Sequence, residues 1–387
     1  MPAVVLTGAR QTGKSTLAKN WDTKDRQYVT LDNLDTLEMA QLDPTILVGT
    51  GKKLTIDEIQ REPRLMTAVK ESIDKDRSAG RFILTGSANL LLMNRVSESL
   101  AGRASYLTLW PMTRREQMGL GRNGLWNEIV ETRDENWKEL IEDQTIDRED
   151  WRSLTRRGGF PTPAVHLKTD EERKIWFDGY VRTYLERDLQ DLASISALPD
   201  FRRLMRAASF RLGGVMNQSE MARDIGIPQP TIHRYLNLLE TSYLLVRLPA
   251  YSVNKTKRLM RSPKLYWGDT GVALFLANSA TPSGEHLENL ILCDLMSWRD
   301  SSVEQTDLFY WRTADGIEVD LVVEHKGQLI PIEVKSSAAV RPRDARNLLE
   351  FRKEYKKESR MGLLIYDGNE VVEIVPGILA VPWWKII

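Results

Sequence analysis

Cysteine is almost missing from these 387 residues: Cys293 stands alone, which excludes an intramolecular disulfide framework and any zinc site built from several thiolates. A reducing, cytoplasmic setting is the simpler expectation. Net charge is missing too. Lysine and arginine together number 54, as do aspartate and glutamate, so nucleic-acid binding has to be argued from local patches or not at all. Long apolar runs are absent: none approaches the roughly 18 residues a bilayer span needs, and no basic region followed by an apolar stretch opens the chain. The expectation is a protein neither secreted nor embedded in a membrane. The four histidines are scattered, which makes His233 a solvent or phosphate contact and not a metal ligand. No internal repeat or low-complexity tract is visible.

What is present is the balance of a globular protein, 28% charged against 42% hydrophobic residues, in a chain long enough for two or three cores. Apolar runs recur at Ala3 to Leu6, Tyr28 to Leu31, Leu54 to Ile56, Phe82 to Leu84 and Tyr106 to Leu109, with helical patterns between most of them. Such alternation predicts an α/β fold with a parallel sheet covered on both faces. From Trp126 to Trp151 ten acidic residues stand against three basic ones, and the stretch reads as a solvated helical region. Gly158, Gly159 and Pro161 mark a turn, and a helical pattern follows from Glu171 to Leu192. A further helical module occupies about Phe201 to Leu248. Strands return at Leu308 to Trp311, Glu318 to Val323 and Leu329 to Lys335.

Gly8-Ala9-Arg10-Gln11-Thr12-Gly13-Lys14-Ser15 fits the pattern G-x-x-x-x-G-K-[ST], between an apolar strand and an amphipathic segment. Glycines there let backbone N–H groups wrap phosphates. Gly8, Gln11, Thr12, Gly13, Lys14, Ser15 and Thr16 are therefore the expected ATP contacts, with Lys14 on the β and γ phosphates and Ser15 on Mg²⁺. Leu54-Thr55-Ile56-Asp57-Glu58 ends a buried strand in two carboxylates. Asp57 is expected to hold Mg²⁺ through water and Glu58 to act as general base, a pairing that favours hydrolysis over simple kinase chemistry. Ser87, or failing it Thr85, lies at the tip of the next strand, placed to sense the γ-phosphate. Arg103, just before the fifth strand, is a candidate arginine finger acting across a subunit boundary, which would imply a homo-oligomer or closed ring.

Residues 219–228 and 229–236 have the grammar of helix-turn-helix. Ala222 is small where two helices cross, Gly226 serves the turn, and Ile232, Tyr235, Leu236 and Leu239 form one apolar face. The second helix would present Gln229, Thr231, His233 and Arg234 to DNA. Beyond it, Thr241 to Gly268 contains six basic residues and no acidic one, a stripe in which Lys255, Lys257 and Arg258 would meet phosphates from a wing. In the tail, strand alternation puts Glu333 and Lys335 on one face, where Asp320 can meet Glu333. Asp320 and Glu333 would share Mg²⁺ while Lys335 orients a water, the pattern of restriction-endonuclease-like folds. Glu288 resembles the extra acid those folds carry on their first helix, and Glu318 is an alternative contributor.

Taken together, these residues resemble the bacterial and archaeal AAA-type ATPases whose C-terminal half carries a DUF4143 domain. The resemblance rests on the phosphate loop, Ile56-Asp57-Glu58-Ile59-Gln60, Leu84-Thr85-Gly86-Ser87, Ala101-Gly102-Arg103, Gly158-Gly159-Phe160-Pro161, Tyr184-Leu185-Glu186-Arg187-Asp188, Asp269-Thr270-Gly271 and Pro331-Ile332-Glu333-Val334-Lys335. It implies an ATPase core at 1–125, a helical lid at 126–200, a winged helix-turn-helix at 201–268 and a restriction-endonuclease-like domain at 269–387. One departure is the position of Met1, a few residues ahead of the first strand where relatives carry a short N-terminal segment. The function expected is ATP binding and slow hydrolysis coupled to DNA, structured or branched, through the C-terminal half. Two competitors are an ATP-dependent protein-interaction switch with no DNA activity and an ATP-regulated Mg²⁺-dependent nuclease.

Overall fold

The computed structural model of the chain describes residues 1–49, 53–86, 100–183 and 198–387. Five strands, β1 (Ala3–Thr7), β2 (Arg26–Thr30), β3 (Lys53–Asp57), β4 (Phe82–Thr85) and β5 (Ala104–Thr108), form one sheet in the order β2-β3-β4-β1-β5. Every pairing in it is parallel. All five apolar runs read from the sequence become these strands; burial on both faces explains the apolar character of the central β1, β3 and β4, while the edge strands β2 and β5 stay partly exposed. Leu54, Ile56, Phe82 and Leu84 are fully covered. The helix Arg64–Lys75 turns Leu65, Met66, Ala68, Val69 and Ile73 into that core, the three-and-four spacing of an amphipathic helix. Parallel register then does the positioning. Leu6 lies opposite Thr85 and Ile56 opposite Leu84, so the ends of β1, β3 and β4 deliver Gly8, Asp57 and Thr85 to one rim of the sheet.

Three helices, Leu198–Phe210, Gln218–Ile225 and Gln229–Thr241, precede an antiparallel pair, β6 (Leu245–Leu248) and β7 (Lys264–Trp267). Gly226 stands left-handed (φ 66°) at the end of the second helix, the turn that the sequence places there. Ile232, Tyr235, Leu236 and Leu239 are all buried. The short helix Lys255–Met260 lies between the two strands.

The tail is a six-stranded sheet in the order β12-β13-β11-β10-β9-β8. Its strands are β8 (Thr306–Arg312), β9 (Glu318–His325), β10 (Gln328–Lys335), β11 (Gly362–Tyr366), β12 (Val372–Val375) and β13 (Ile378–Pro382). The first three form an antiparallel meander, and β10, β11 and β13 run parallel. Lys326 and Gly327, at φ 50° and 77°, make the two-residue turn whose twist suits a hairpin. The helix Gly284–Ser301 covers one face through Leu287, Ile291 and Leu295, against Leu321, Val323, Ile330 and Ile332. The helix Arg346–Glu354 covers the other through Leu348 and Phe351, against Val322 and Leu364.

The acidic stretch Trp126 to Trp151 departs from its sequence reading. Trp126, Trp137 and Trp151 are buried at 2%, 0% and 1% exposure and share a core with Trp383 and Ile386. The helices Trp126–Glu131 and Trp137–Glu142 turn their acids outward and one indole inward, and Trp151 opens a third helix at the end of the acidic stretch, so a charge count hides the anchors. Trp126 donates to Asp294 at 2.6 Å and Trp151 to Asp367 at 3.2 Å. Among the described residues no helix is long and apolar enough to cross a membrane.

Candidate functional site

The loop between β1 and the helix Lys14–Asn20 is shaped by three left-handed residues, Gly8 (φ 134°), Gln11 (φ 69°) and Gly13 (φ 95°). At Gly8 glycine is obligatory, because a Cβ would lie 2.2 Å from the Leu109 carbonyl oxygen. Thr12 closes the loop by donating to the Ala9 carbonyl at 2.9 Å. Lys14 is buried, and its ammonium donates to the carbonyls of Gly8 (3.1 Å) and Ala9 (2.6 Å). The loop thus holds its own lysine folded into the concavity. Burial pulls that ammonium down to about 8, with the Glu58 and Asp57 carboxylates opposing the shift.

Asp57, at the end of β3, collects hydroxyls from three neighbouring elements. Ser15 donates to Oδ1 at 3.1 Å, Thr85 donates to the same oxygen, and Tyr28 donates to Oδ2 at 2.7 Å. Ser15 and Asp57 are thereby brought together as the sequence expects. Tyr28 has no sequence signal of its own, since only the β2–β3 register discloses its contribution. Glu58 follows in the left-handed region (φ 56°), a conformation that costs a residue with a Cβ about 1–3 kcal/mol and concentrates at functional sites. The Gln60 amide donates to its carboxylate. Burial raises the Glu58 carboxyl above the usual glutamate range.

A second layer braces this rim from far along the chain. Tyr243 donates to the Thr7 hydroxyl at 3.0 Å, and Tyr180 to the Arg10 carbonyl at 3.3 Å. Asp269, buried, accepts from Gly159 N at 2.6 Å and from Val272 N at 2.8 Å. It fixes the Gly158-Gly159 turn that carries Pro161 to Gly13. Arg103 is not brought to the loop. It sits beside Ala3 at the opposite end of β1, paired with Asp74 through two bonds of 2.8 and 2.9 Å. Ser87 lies outside the described residues.

Against this geometry stand the relatives. Residues 1–118 match the model of an AAA domain, residues 148–283 a domain of unknown function, DUF8612, and residues 283–386 the domain of unknown function DUF4143. Uncharacterized proteins of Mycobacterium tuberculosis and Mycobacterium bovis are each 31% identical over 347 residues, 87% of this chain and 71% of theirs. The chain belongs to this AAA-domain family with a DUF4143 tail. An uncharacterized protein of Haemophilus influenzae is 20% identical, with 97% of this chain and 94% of its own covered. A Vibrio cholerae protein of known crystal structure covers 99% of this chain and 95% of its own at 12% identity, with a TM-score of 0.21. The AAA domain carries an ATPase-like, nucleotide-binding function, and the loop described above lies within it and fits the phosphate-loop pattern.

Within the DUF4143 tail the carboxylates named from the sequence do converge, but around a lysine. Lys264, from β7, places its ammonium 3.0 Å from Glu288, 2.6 Å from Glu318 and 3.5 Å from Asp320. Asp320 also accepts from Val334 N at 2.9 Å, and Lys335 pairs with Glu333 at 2.7 Å. Burial, then the Asp320 charge, raises both Glu288 and Glu333. Of the residues expected to share Mg²⁺, Glu288 and Asp320 thus face Lys264, and Glu333 keeps one buried oxygen, Oε2, without a hydrogen-bond partner. Among the described residues, the acid and imidazole side chains with metal-ligand convergence are Glu131, Glu304 and His325. There Lys326 already pairs with both glutamates, at 3.0 and 2.7 Å.

The basic stripe is likewise dispersed by tertiary partners. Arg247 pairs with Glu240. Arg258 lies between the Tyr251 and Phe309 rings, 4.5 and 4.6 Å from their centroids, and pairs with Glu324 at 2.7 Å. It is drawn inward, away from any backbone phosphate. Lys255 is exposed, and the Lys257 side chain lies outside what is described. Gln229, His233 and Arg234 are exposed on their helix, and Thr231 is half-buried.

Proposed function

We propose that this AAA protein is an ATP-hydrolysing switch whose C-terminal half responds to the nucleotide. The loop Gly8 to Thr16 holds ATP, with Gln11, Thr12 and Gly13 lining it and Lys14 meeting the β and γ phosphates as a point charge. Ser15 and, through water, Asp57 are the residues that would hold the accompanying Mg²⁺, which neutralises phosphate charge when bound. Glu58 takes a proton from the attacking water. The observation that carries this reading is the direct bond between Ser15 and Asp57, 42 residues apart in sequence, beside a buried lysine. The contacts of Tyr243 and Tyr180 with the loop and its strand support coupling, because any movement of the loop on hydrolysis is felt at both tyrosines. If Arg103 acts on ATP it does so on a neighbouring copy, as in a closed ring, and it must first leave the Asp74 pairing that holds it at the far end of β1.

Lys14 supplies the test. With its free-protein value near 8, it is charged below that pH and binding costs it no proton. Above it, binding must recharge the amine, so ATP affinity falls by up to about tenfold per pH unit and proton uptake appears. Calorimetric titration with ATP in buffers of different ionisation enthalpy, from pH 7 to about 10, reads both quantities. Affinity that stays flat across this range, or tight binding by a Lys14→Met protein, defeats the proposal.

A DNA-engaging reading has one specific support, the exposed Gln229, His233 and Arg234 on the second helix of the helix-turn-helix, with Lys255 exposed as well. If it holds, duplex binding weakens steeply with salt. Replacing Arg234 and Lys255 by alanine lowers the logarithmic salt slope by about one for each phosphate left without its cation. Arg258→Ala, by contrast, acts on stability. Fluorescence anisotropy with duplex, branched and single-stranded DNA decides it, and binding to none of them leaves a protein-interaction switch.

A further inference from the structure

We infer that Lys264 is the resident cation of the tail's carboxylate cluster, seated where a divalent metal would have to bind, so that the cluster latches the β6–β7 pair to the tail and recruits no metal. The inference stands apart from the reading of the nucleotide site and shares no residue with it. Its first support is stoichiometric. A lysine ammonium has three N–H donors and no acceptor, and Lys264 faces three carboxylates, Glu288, Glu318 and Asp320, at 2.6 to 3.5 Å. The side chain is 2% exposed, so these carboxylates are its surroundings and water is not.

The oxygens that face Lys264 are already engaged, which leaves them poorly placed for a small octahedral ion that wants oxygens near 2.0–2.1 Å. One oxygen of Asp320 faces the ammonium and the other accepts from Val334 N. The Glu288 oxygen that accepts from Lys264 also accepts from the Tyr266 hydroxyl. Glu318 divides between Lys264 and Arg312, the latter at 3.5 Å. Glu333 is engaged by Lys335 through Oε1, and its Oε2, which does not face Lys264, is buried without a hydrogen-bond partner.

The second support is where the lysine comes from. Residues 264–267 are the second strand of the β6–β7 pair, and the backbone of Lys264 also bridges to Val215. Further along the same strand, Trp267 N donates to the Asn289 side chain at 3.0 Å, and that side chain donates back to the Trp267 carbonyl at 2.8 Å. Lys264, Tyr266 and Trp267 therefore grip Glu288 and Asn289 on the helix Gly284–Ser301, while Lys264 alone reaches on to β9. A buried ion cluster of this kind specifies one docking position, and it loses its balance when one charge is withdrawn. A divalent cation at Glu288, Glu318 and Asp320 has to displace the Lys264 ammonium from them.

Mn²⁺ titration of the full-length, nucleotide-free protein, followed by electron paramagnetic resonance, tests this directly. Wild type is expected to show no saturable Mn²⁺ binding that Asp320→Asn removes. Lys264→Ala is expected to gain one such site, with a Mn²⁺-dependent rise in Tm, and to lose it again in combination with Asp320→Asn. Lys264→Arg, which keeps the charge, should gain none. Saturable binding by wild type that Asp320→Asn abolishes would overturn the inference, and this comparison needs no lysine variant to fold. A folded Lys264→Ala protein that still binds no Mn²⁺ would overturn it equally, because the vacated position would then not be a cation's place.

Discussion

Glu58→Gln is expected to lower ATP turnover by about 10²–10⁴-fold while ATP binding is kept, the contribution typical of a positioned general base. The reasoning starts from the backbone. Glu58 adopts φ 56° directly after Asp57, so its carboxylate leaves the strand on a different line from that of its neighbour. Asp57 is committed to Ser15, Thr85 and Tyr28, and of the two acids only Glu58 is free of this hydroxyl network. Burial holds it above the usual glutamate range, which strengthens it as a base towards water. Glutamine preserves the size of the side chain and a partner for Gln60 but accepts no proton. Phosphate release at saturating ATP, beside ATP binding measured on the same variant, separates the two effects. Turnover equal to wild type would move the base elsewhere.

Trp137→Ala is expected to destabilise the protein by about 3–5 kcal/mol, the usual cost of emptying a buried aromatic site. Trp137 is fully buried, donates to the Ile129 carbonyl at 2.9 Å, and carries the Arg360 guanidinium 4.8 Å from its ring centroid. That arginine also pairs with Asp134 at 2.7 Å and donates to the carbonyls of Ile129 and Val130. The indole therefore holds together an acidic helical stretch and a residue more than two hundred positions away. Denaturant unfolding of the variant measures the loss, and Trp137→Phe should recover part of it. A change below about 1 kcal/mol, within the ordinary range for substitutions away from such features, would mean that the stretch is a solvated appendage after all.

The nucleotide loop could be read from sequence because its chemistry is contiguous: Gly8 to Ser15 form one turn, and Asp57 and Glu58 end one strand. The Tyr28 hydroxyl was less accessible, since parallel register brings it in and it belongs to no recognisable string, and Thr85, named at its strand tip, meets Asp57 through the same register. Tyr180 and Tyr243 were invisible for the same reason at longer range, and Asp269, though part of a quoted motif, showed its bond to Gly159 only in the fold. The basic stripe misled because a local count ignores tertiary counter-ions. Glu240, Glu324, Glu288, Glu318 and Asp320 all come from outside the segment they neutralise. The strands β11 to β13 went unread because Gly362 to Tyr366 and Ile378 to Pro382 are short and buried on both faces, with no alternation to announce them.

The indoles of the acidic stretch also set a condition on biosynthesis. Trp151 is bonded to Asp367, 216 residues further on, and at 5–20 residues per second a ribosome needs roughly 10–40 s to cover that interval. The five-stranded parallel sheet has all its strands by Thr108 and can close while synthesis continues. Trp126, Trp137 and Trp151 then wait uncovered through that interval, in which exposed apolar surface opens a nascent chain to aggregation and to chaperones.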